Sequence, residues 1–252
     1  MIRDLHEIDE LSAAADLLAA IWGYPADQGP VSPELLRALA HSGNYVAGAW
    51  DGDQLVGASA GFLGQHRGEA GPHLHSHISG VRPDHQGGAL GFALKQHQRE
   101  WALARGVDVI EWTFDPLVRR NAYFNLAKLG ARIVGYEAHF YGVMRDAVNA
   151  GDETDRAVVR WELDGVRPSA AERGAVILRA DDDGHPVVDK VDADVLQVWV
   201  PEDVVALRQA DADAALAWRS ALRDTFGAAV NDGYDAMAMT RDGWYTLERR
   251  PR

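Results

Sequence analysis

Three histidines alternate along one short stretch, His73, His75 and His77, and on a regular strand alternate residues share a face. Imidazoles held that way exchange protons near neutral pH, or ligate zinc or nickel. No carboxylate or fourth ligand lies beside them in sequence, which favours proton transfer over metal binding. Glu111 stands in an apolar strand pattern, E-W-T-F, where burial raises a carboxyl's pKa and makes it a rival base. For His77 and Glu111 alike, the plain alternative is a satisfied structural polar group.

Just beyond the histidines runs V-R-P-D-H-Q-G-G-A-L-G-F-A-L, from Val81 to Leu94. A glycine-rich turn opening a long amphipathic helix gathers unpaired backbone N–H groups at the helix's positive end, a place suited to phosphate or pyrophosphate. Such turns also serve simply as helix starts. Around it Arg82, Lys95, Arg99 and Arg105 face only Asp84 and Glu100, and His85 and His97 add partial charge, so a locally basic surface competes with an evenly solvated helix face. Farther on, Asp115, Arg120 and Asn121 gather where a strand gives way to a helix, the end of a sheet at which ligands bind. The guanidinium groups of Arg120 and Arg156 are suited to clamping a ligand carboxylate bidentately, or to pairing with Asp115 and Asp155 as salt bridges.

The elements that position these residues are legible from periodicity. Ile2–Leu5 predicts a strand and His6–Trp22 a helix, with Leu11, Ala14, Leu17, Leu18 and Ile21 at helical spacing. Ser32 caps a second helix that carries Pro33 in its first turn. Strands over Asn44–Trp50 and Leu55–Leu63 turn at D-G-D, and Leu74–Val81 completes the meander. Helix Ala89–Arg105 stops at Gly106, strand Asp108–Phe114 follows, then helix Leu117–Leu129 closed by Gly130. Strands Arg132–Met144 and Ala157–Leu163 give the order β-α-α-β-β-β-α-β-α-β-β, a mixed α/β sheet around a central βαβ unit. Arg167–Ala171 reads as a linker between a first domain, Met1–Asp164, and a smaller α/β extension, Glu172–Arg252. The extension predicts strands at Ala175–Leu178 and Val195–Val200, a helix over Glu202–Gly227 and a final hairpin turning at Arg241–Asp242–Gly243. It packs on the first domain, covers a ligand pocket, or builds a homodimer. The run Asp181–Asp182–Asp183–Gly184 reads as a solvated turn, since a cation loop needs further spaced ligands.

Composition bounds the rest. The chain has 252 residues and no cysteine, which removes disulfides, thiolate nucleophiles, iron–sulfur clusters and cysteine-bound zinc. A net charge of -13 argues against nucleic acid. The apolar run Leu11–Trp22 is broken by Ser12 and Asp16 and is too short to span a bilayer, so no signal peptide or membrane anchor is expected and a cytoplasmic location is.

The element order together with Q-G-G-A-L-G before a helix resembles the GNAT acyltransferase superfamily, whose acyl-coenzyme A turn is written [Q/R]-x-x-G-x-[G/A]. Ala89 stands where that pattern has its first glycine, a mild change unless the position needs positive φ or close ligand approach. The ending A-K-L-G-A is similar to the family's E-K-x-G-F. With T-D-R at Thr154–Arg156 and W-E-L-D at Trp161–Asp164, it resembles a little-characterised branch of predicted acetyltransferases.

The resemblance implies direct acetyl transfer from acetyl-CoA to the amine of a small molecule, with no metal. It implies pyrophosphate binding by the backbone of Gln86, Gly87, Gly88, Ala89, Leu90 and Gly91, and polarisation of the thioester carbonyl by the backbone of Ser79, Gly80 and Val81. His77, or alternatively Glu111, becomes the base, and His75, Asp115, Arg120 and Arg156 the acceptor's contacts. Asn121 meets the pantetheine, although the family's asparagine aligns with Arg119. The family's proton-donating tyrosine aligns with Leu126, leaving Tyr123, almost one turn earlier, as its substitute. That departure keeps open a catalytically inactive coenzyme A-binding module, sensory or regulatory. A histidine-metal hydrolase is the third reading.

Overall fold

The computed structural model describes every residue except 26–27, 69–70, 143–153, 166–169, 172 and 252. Residues group into two compact units. The first holds Met1–Trp112 and Glu162–Asp164; the second begins at Thr113 and includes the C-terminal strands. The chain passes from one to the other inside a strand, not at the linker expected after Asp164, most of which lies outside the described residues.

In the first unit, β1 (Ile2–Asp4), β2 (Tyr45–Asp51), β3 (Gln54–Gly64) and β4 (His73–Val81) run antiparallel in spatial order β1-β2-β3-β4, and β5 (Val109–Phe114) lies parallel beside β4. Helix α1 (Ile8–Trp22) buries Leu11, Ala14, Ala15, Leu18 and Ala19, one stripe at helical spacing. Helix α2 (Pro33–His41) starts as its sequence dictates: Ser32 Oγ accepts from Leu35 N–H at 3.2 Å, and Pro33 occupies the first turn. Both helices pack on Val46, Ala58, Ala60 and Ile78. Helix α3 (Leu90–Leu103) buries Leu94, Lys95, Gln98, Trp101 and Ala102. A lysine and a glutamine in that stripe overturn the reading of its cations as a solvated or phosphate-facing set.

Two irregularities shape β4. The pair Ala60↔Ile78 is followed by Gly61↔Ser76, so His77 is an extra residue on β4, a bulge. Alternation is therefore interrupted at the histidine expected to continue it. Beside β5, moreover, β4 is paired only at Leu74↔Ile110 and His75↔Glu111. Among the described pairings, Ser76–Val81 has no ladder partner on that edge.

In the second unit, α4 (Arg119–Ala122) continues as a π-helical stretch, Tyr123–Leu129, ending at Gly130 in the left-handed conformation. Strands β6 (Arg132–Glu137), β7 (Arg156–Glu162), β8 (Ala175–Ala180), β9 (Pro186–Val188), β10 (Val195–Trp199), β11 (Tyr234–Met239) and β12 (Trp244–Arg249) stand in the order β7-β6-β11-β12-β10-β8-β9. The pair Ile133↔Ala236 joins the strands before the expected linker to those after it, which explains why the units do not divide there. The long helix expected over Glu202–Gly227 is broken: α5 (Val204–Ala210) ends at Asp211, which is extended and whose carboxylate caps α6 (Ala212–Leu222) through Ala214 N–H at 2.9 Å. A π-helical turn, Arg223–Gly227, then leads into α7 (Ala228–Asn231). The strand expected to reach Met144 stops at Glu137, and its far end lies outside the described residues.

Candidate active site

The candidate site is built on the turn between β4 and α3. A short 3-10 turn, Pro83–His85, follows Arg82, Gln86 is extended, and Gly87 has φ +80°, a conformation that a side chain resists. Gln86 Nε2 donates to Val81 O at 2.8 Å, tying the turn to the strand's end. No side chain caps α3, so its first N–H groups are left for something else. Space is available: a Cβ built at Gly87 or Gly91 meets nothing within 4 Å, and at Gly88 only His85 O, at 3.9 Å. Ala89 has φ -81°, so alanine at the family's glycine position needs no unusual backbone.

Charge around the turn is arranged differently from the expectation. Arg82 donates to Asp84 at 3.1 and 2.8 Å, and His85 Nδ1 lies 2.9 Å from the same carboxylate and Nε2 3.5 Å from Asp51. The Arg82 guanidinium, then His85, hold the Asp84 carboxyl well below the usual carboxylate range, and Asp84 in turn pushes His85 up toward its cationic form. Arg99 donates to Leu163 O at 3.2 and 2.6 Å, and Arg105 lies over the Trp101 ring. Lys95 is buried, donating to Ser76 Oγ at 2.9 Å and Gln98 Oε1 at 3.2 Å, 3.9 Å from the centre of Trp112. Burial lowers its pKa to about 7. The side-chain cations around this turn are thus engaged within the protein, and what it leaves uncapped is the backbone at the start of α3.

The histidines divide between His73 and His75, before the bulge is reached. His75 and His77 meet around Phe62, with ring centres 4.9 and 5.9 Å from it and 6.1 Å from each other. Burial lowers the pKa of both; for His75, helped by His77 and His73, it falls to about 4. Both are neutral at neutral pH, the state a proton acceptor needs. His73 instead stacks on His66, centres 4.3 Å apart, with both Nε2 atoms directed to Glu111 Oε2 at 2.6 Å (His66) and 3.8 Å (His73). His66 carried no signal in sequence, because only the β3–β4 connection brings it there.

The other candidates belong to the second unit. Asp115 is buried and accepts from Arg219 at 2.7 and 2.6 Å, and from Leu117 N–H at 2.9 Å. It is an architectural ion pair whose partner stands 104 residues away, not the salt bridge expected with Arg120. Asp155 is likewise taken by Arg223 at 2.9 and 2.8 Å and by the Tyr136 hydroxyl, not by Arg156. Arg156 is buried and lies over the Tyr141 ring. Arg120 and Asn121 are exposed. Arg119, in the family's asparagine position, donates to Val200 O at 2.6 Å. Leu126 is buried; Tyr123 accepts at its hydroxyl from Arg241 Nε at 3.1 Å.

A family model described as Acetyltransferase (GNAT) family matches residues 11–136, half of the chain. The chain belongs to the acetyltransferase (GNAT) family. Solved structures agree on the fold. A GNAT-family acetyltransferase from Streptococcus pneumoniae is 14% identical, with 64% of this chain and 98% of that one covered and a TM-score of 0.51. YncA from Salmonella typhimurium, solved with its cofactor acetyl-CoA, is 18% identical over 68% and 98%, with a TM-score of 0.50. Aminoglycoside 6'-acetyltransferase type Ii is 21% identical over 67% and 99%, with a TM-score of 0.48. No curated protein gives a significant sequence match. As a GNAT acetyltransferase the chain is an acyl-transferring enzyme with a mixed α/β fold, and the inactive-binder alternative finds no support. Among the described residues no helix is long and apolar enough to cross a membrane.

Proposed function

We propose that this acetyltransferase moves the acetyl group of acetyl-CoA directly to the amine of a small molecule, with the diphosphate held by the backbone from Gln86 to Gly91. One observation carries the reading: the start of α3 is uncapped, and the glycines around it open onto free space. An uncapped helix start with glycines before it leaves N–H groups that a diphosphate can take in place of water. YncA, with acetyl-CoA, supports the choice of ligand by fold alone. Each favourable charge at a helix end contributes about 0.3–1 kcal/mol, so several hydrogen bonds must supply most of the affinity.

Acetyl-CoA brings an activated thioester; the chain supplies position and proton transfer. Beyond the bulge, the free edge of β4 suits an extended pantetheine arm that adds to the sheet as a strand would. Gly80 faces β3, in step with Arg82 N–H donating to Val56 O, so the N–H groups of Ser79 and Val81 are the ones that lie along the arm and polarise the carbonyl. His77, neutral and displaced by the bulge, takes the proton from the acceptor amine directly or through water, while His75 and Phe62 line its approach. Glu111, already engaged by His66, is the weaker candidate for base. A coenzyme A thiolate leaves readily enough that burial of Leu126 does not forbid the reaction.

The test is calorimetric titration of the chain with acetyl-CoA, beside Gly88→Asp, followed by a thiol-release screen over amines, amino acids and aminoglycosides. Binding by the native chain, weakened at least about tenfold by the added charge, is expected. Absence of binding, or an unaffected variant, would remove the cradle.

A further inference from the structure

We infer that His66, His73 and Glu111 form a binding site for a divalent transition ion of the zinc class, with one coordination position open to water. Sequence spacing argued against a metal, because the histidine strand itself carries no carboxylate. Sheet pairing supplies it: His75↔Glu111 in the parallel β4–β5 register sets the carboxylate beside β4, and the turn after β3 returns His66 over it. The three donor atoms lie within 4.8 Å of one another. Ligands about 2.0–2.1 Å from a tetrahedral zinc stand roughly 3.3 Å apart. The two Nε2–Oε2 separations, 2.6 and 3.8 Å, bracket that spacing; the stacked rings, 14° from parallel, must also turn so that both nitrogens face one ion.

Further features favour an ion over a simple hydrogen-bonded group. Gly64, paired with His73, has no side chain where a Cβ would come within 2.9 Å of His73 Nε2, so that nitrogen has room to reach the carboxylate. His73 and Glu111 are 6% and 4% exposed, while the His66 side chain is 54% exposed, which gives a rigid buried half and a solvent-facing half through which an ion enters. Two imidazole nitrogens with one carboxylate select zinc and its transition-metal neighbours over magnesium and calcium, which prefer oxygen alone. Three protein ligands leave the fourth position to solvent. Bound there, the ion would fasten the β3–β4 connection to β4 and β5. The inference does not depend on the acetyl-CoA reading.

Chelator-treated full-length protein is titrated with Zn²⁺ alone, without acetyl-CoA, following heat and melting temperature, with Co²⁺ absorption as a second readout. The expected result is one equivalent per chain, a rise in melting temperature, and a Co²⁺ spectrum that changes in His66→Ala. Loss of even an outer partner of a metal ligand costs about 10–100-fold in affinity, so His66→Ala and Glu111→Gln should each weaken binding at least tenfold. His66 is exposed on a turn and its removal spares the core, while Glu111→Gln keeps the shape and removes the charge. His185→Ala is the control, because Asp181, Asp183 and His185 form a second, fully exposed cluster. No binding, or binding lost in His185→Ala but intact in His66→Ala and Glu111→Gln, overturns the inference.

Discussion

The turn at Gln86–Gly91 and the buried ion pair at Asp115 carry polar groups to opposite ends. At the turn no side chain caps the helix and the glycines keep the approach clear, although Gln86 N–H already donates to Pro83 O at 3.3 Å. At Asp115 both carboxylate oxygens are claimed by a fully buried arginine, and a backbone N–H adds a third bond. Residue types alone do not separate the two, since both are polar groups at a strand end beside a helix. Satisfaction separates them: polar groups with complete internal partners hold the fold, and donors left facing space are available to a ligand.

The strongest way to break the contrast is to unpair the architectural side. Arg219→Ala leaves Asp115 buried and uncompensated, and a loss of about 3–5 kcal/mol in chemical denaturation is expected. Replacing both partners by apolar residues, Asp115→Leu with Arg219→Met, should recover most of it, because a buried pair offsets its own desolvation. A single variant as stable as the native chain would mean that Asp115 is free for a ligand after all.

On the open side, His77→Ala should lower turnover about 100-fold, near 2.7 kcal/mol, with acetyl-CoA affinity unchanged. Burial lowers the pKa of His77, so the unprotonated, active form persists below the ordinary value of 6.5, and the acid limb of the rate profile should fall only below it. A profile breaking well above 6.5, or turnover that survives the substitution, would assign the proton transfer elsewhere.

Lys95 sharpens the comparison, being a cation that the sequence offered to the phosphate and the fold has spent on packing. Its folded pKa of about 7 lies far below the unfolded value of 10.5. Between those values the unfolded chain holds the extra proton, so stability should rise with pH, by up to about 1.4 kcal/mol per pH unit. Lys95→Met should flatten that slope in denaturation measured from pH 7 to 10. An unchanged slope would show the amine to be solvated, and so able to serve the turn.

Local patterns were legible because their causes are local. The meander, the Ser32 cap, the glycine turn and the element order through β7 all follow from periodicity and capping within a few residues. What escaped depends on pairing across distance. The bulge at His77 exists only relative to β3, the burial of Lys95 only relative to Ser76 and Trp112, and the Asp115 pair spans 104 residues. His66 meets Glu111 across 45 positions, with nothing in either neighbourhood to announce it. The break at Asp211 was visible in principle: an aspartate inside a helical pattern caps a following helix as readily as it continues one.

The smallest expected effect tests the one departure inside the turn itself. Ala89→Gly restores the family's residue, yet Ala89 already has an ordinary right-handed backbone and an exposed side chain. In the proposed binding mode the diphosphate meets only the N–H there, and both residues present it alike. Acetyl-CoA affinity should therefore stay within about twofold, under 0.5 kcal/mol, by calorimetry. A gain of tenfold or more would mean that the alanine methyl group crowds the diphosphate, and that the turn must change shape to bind.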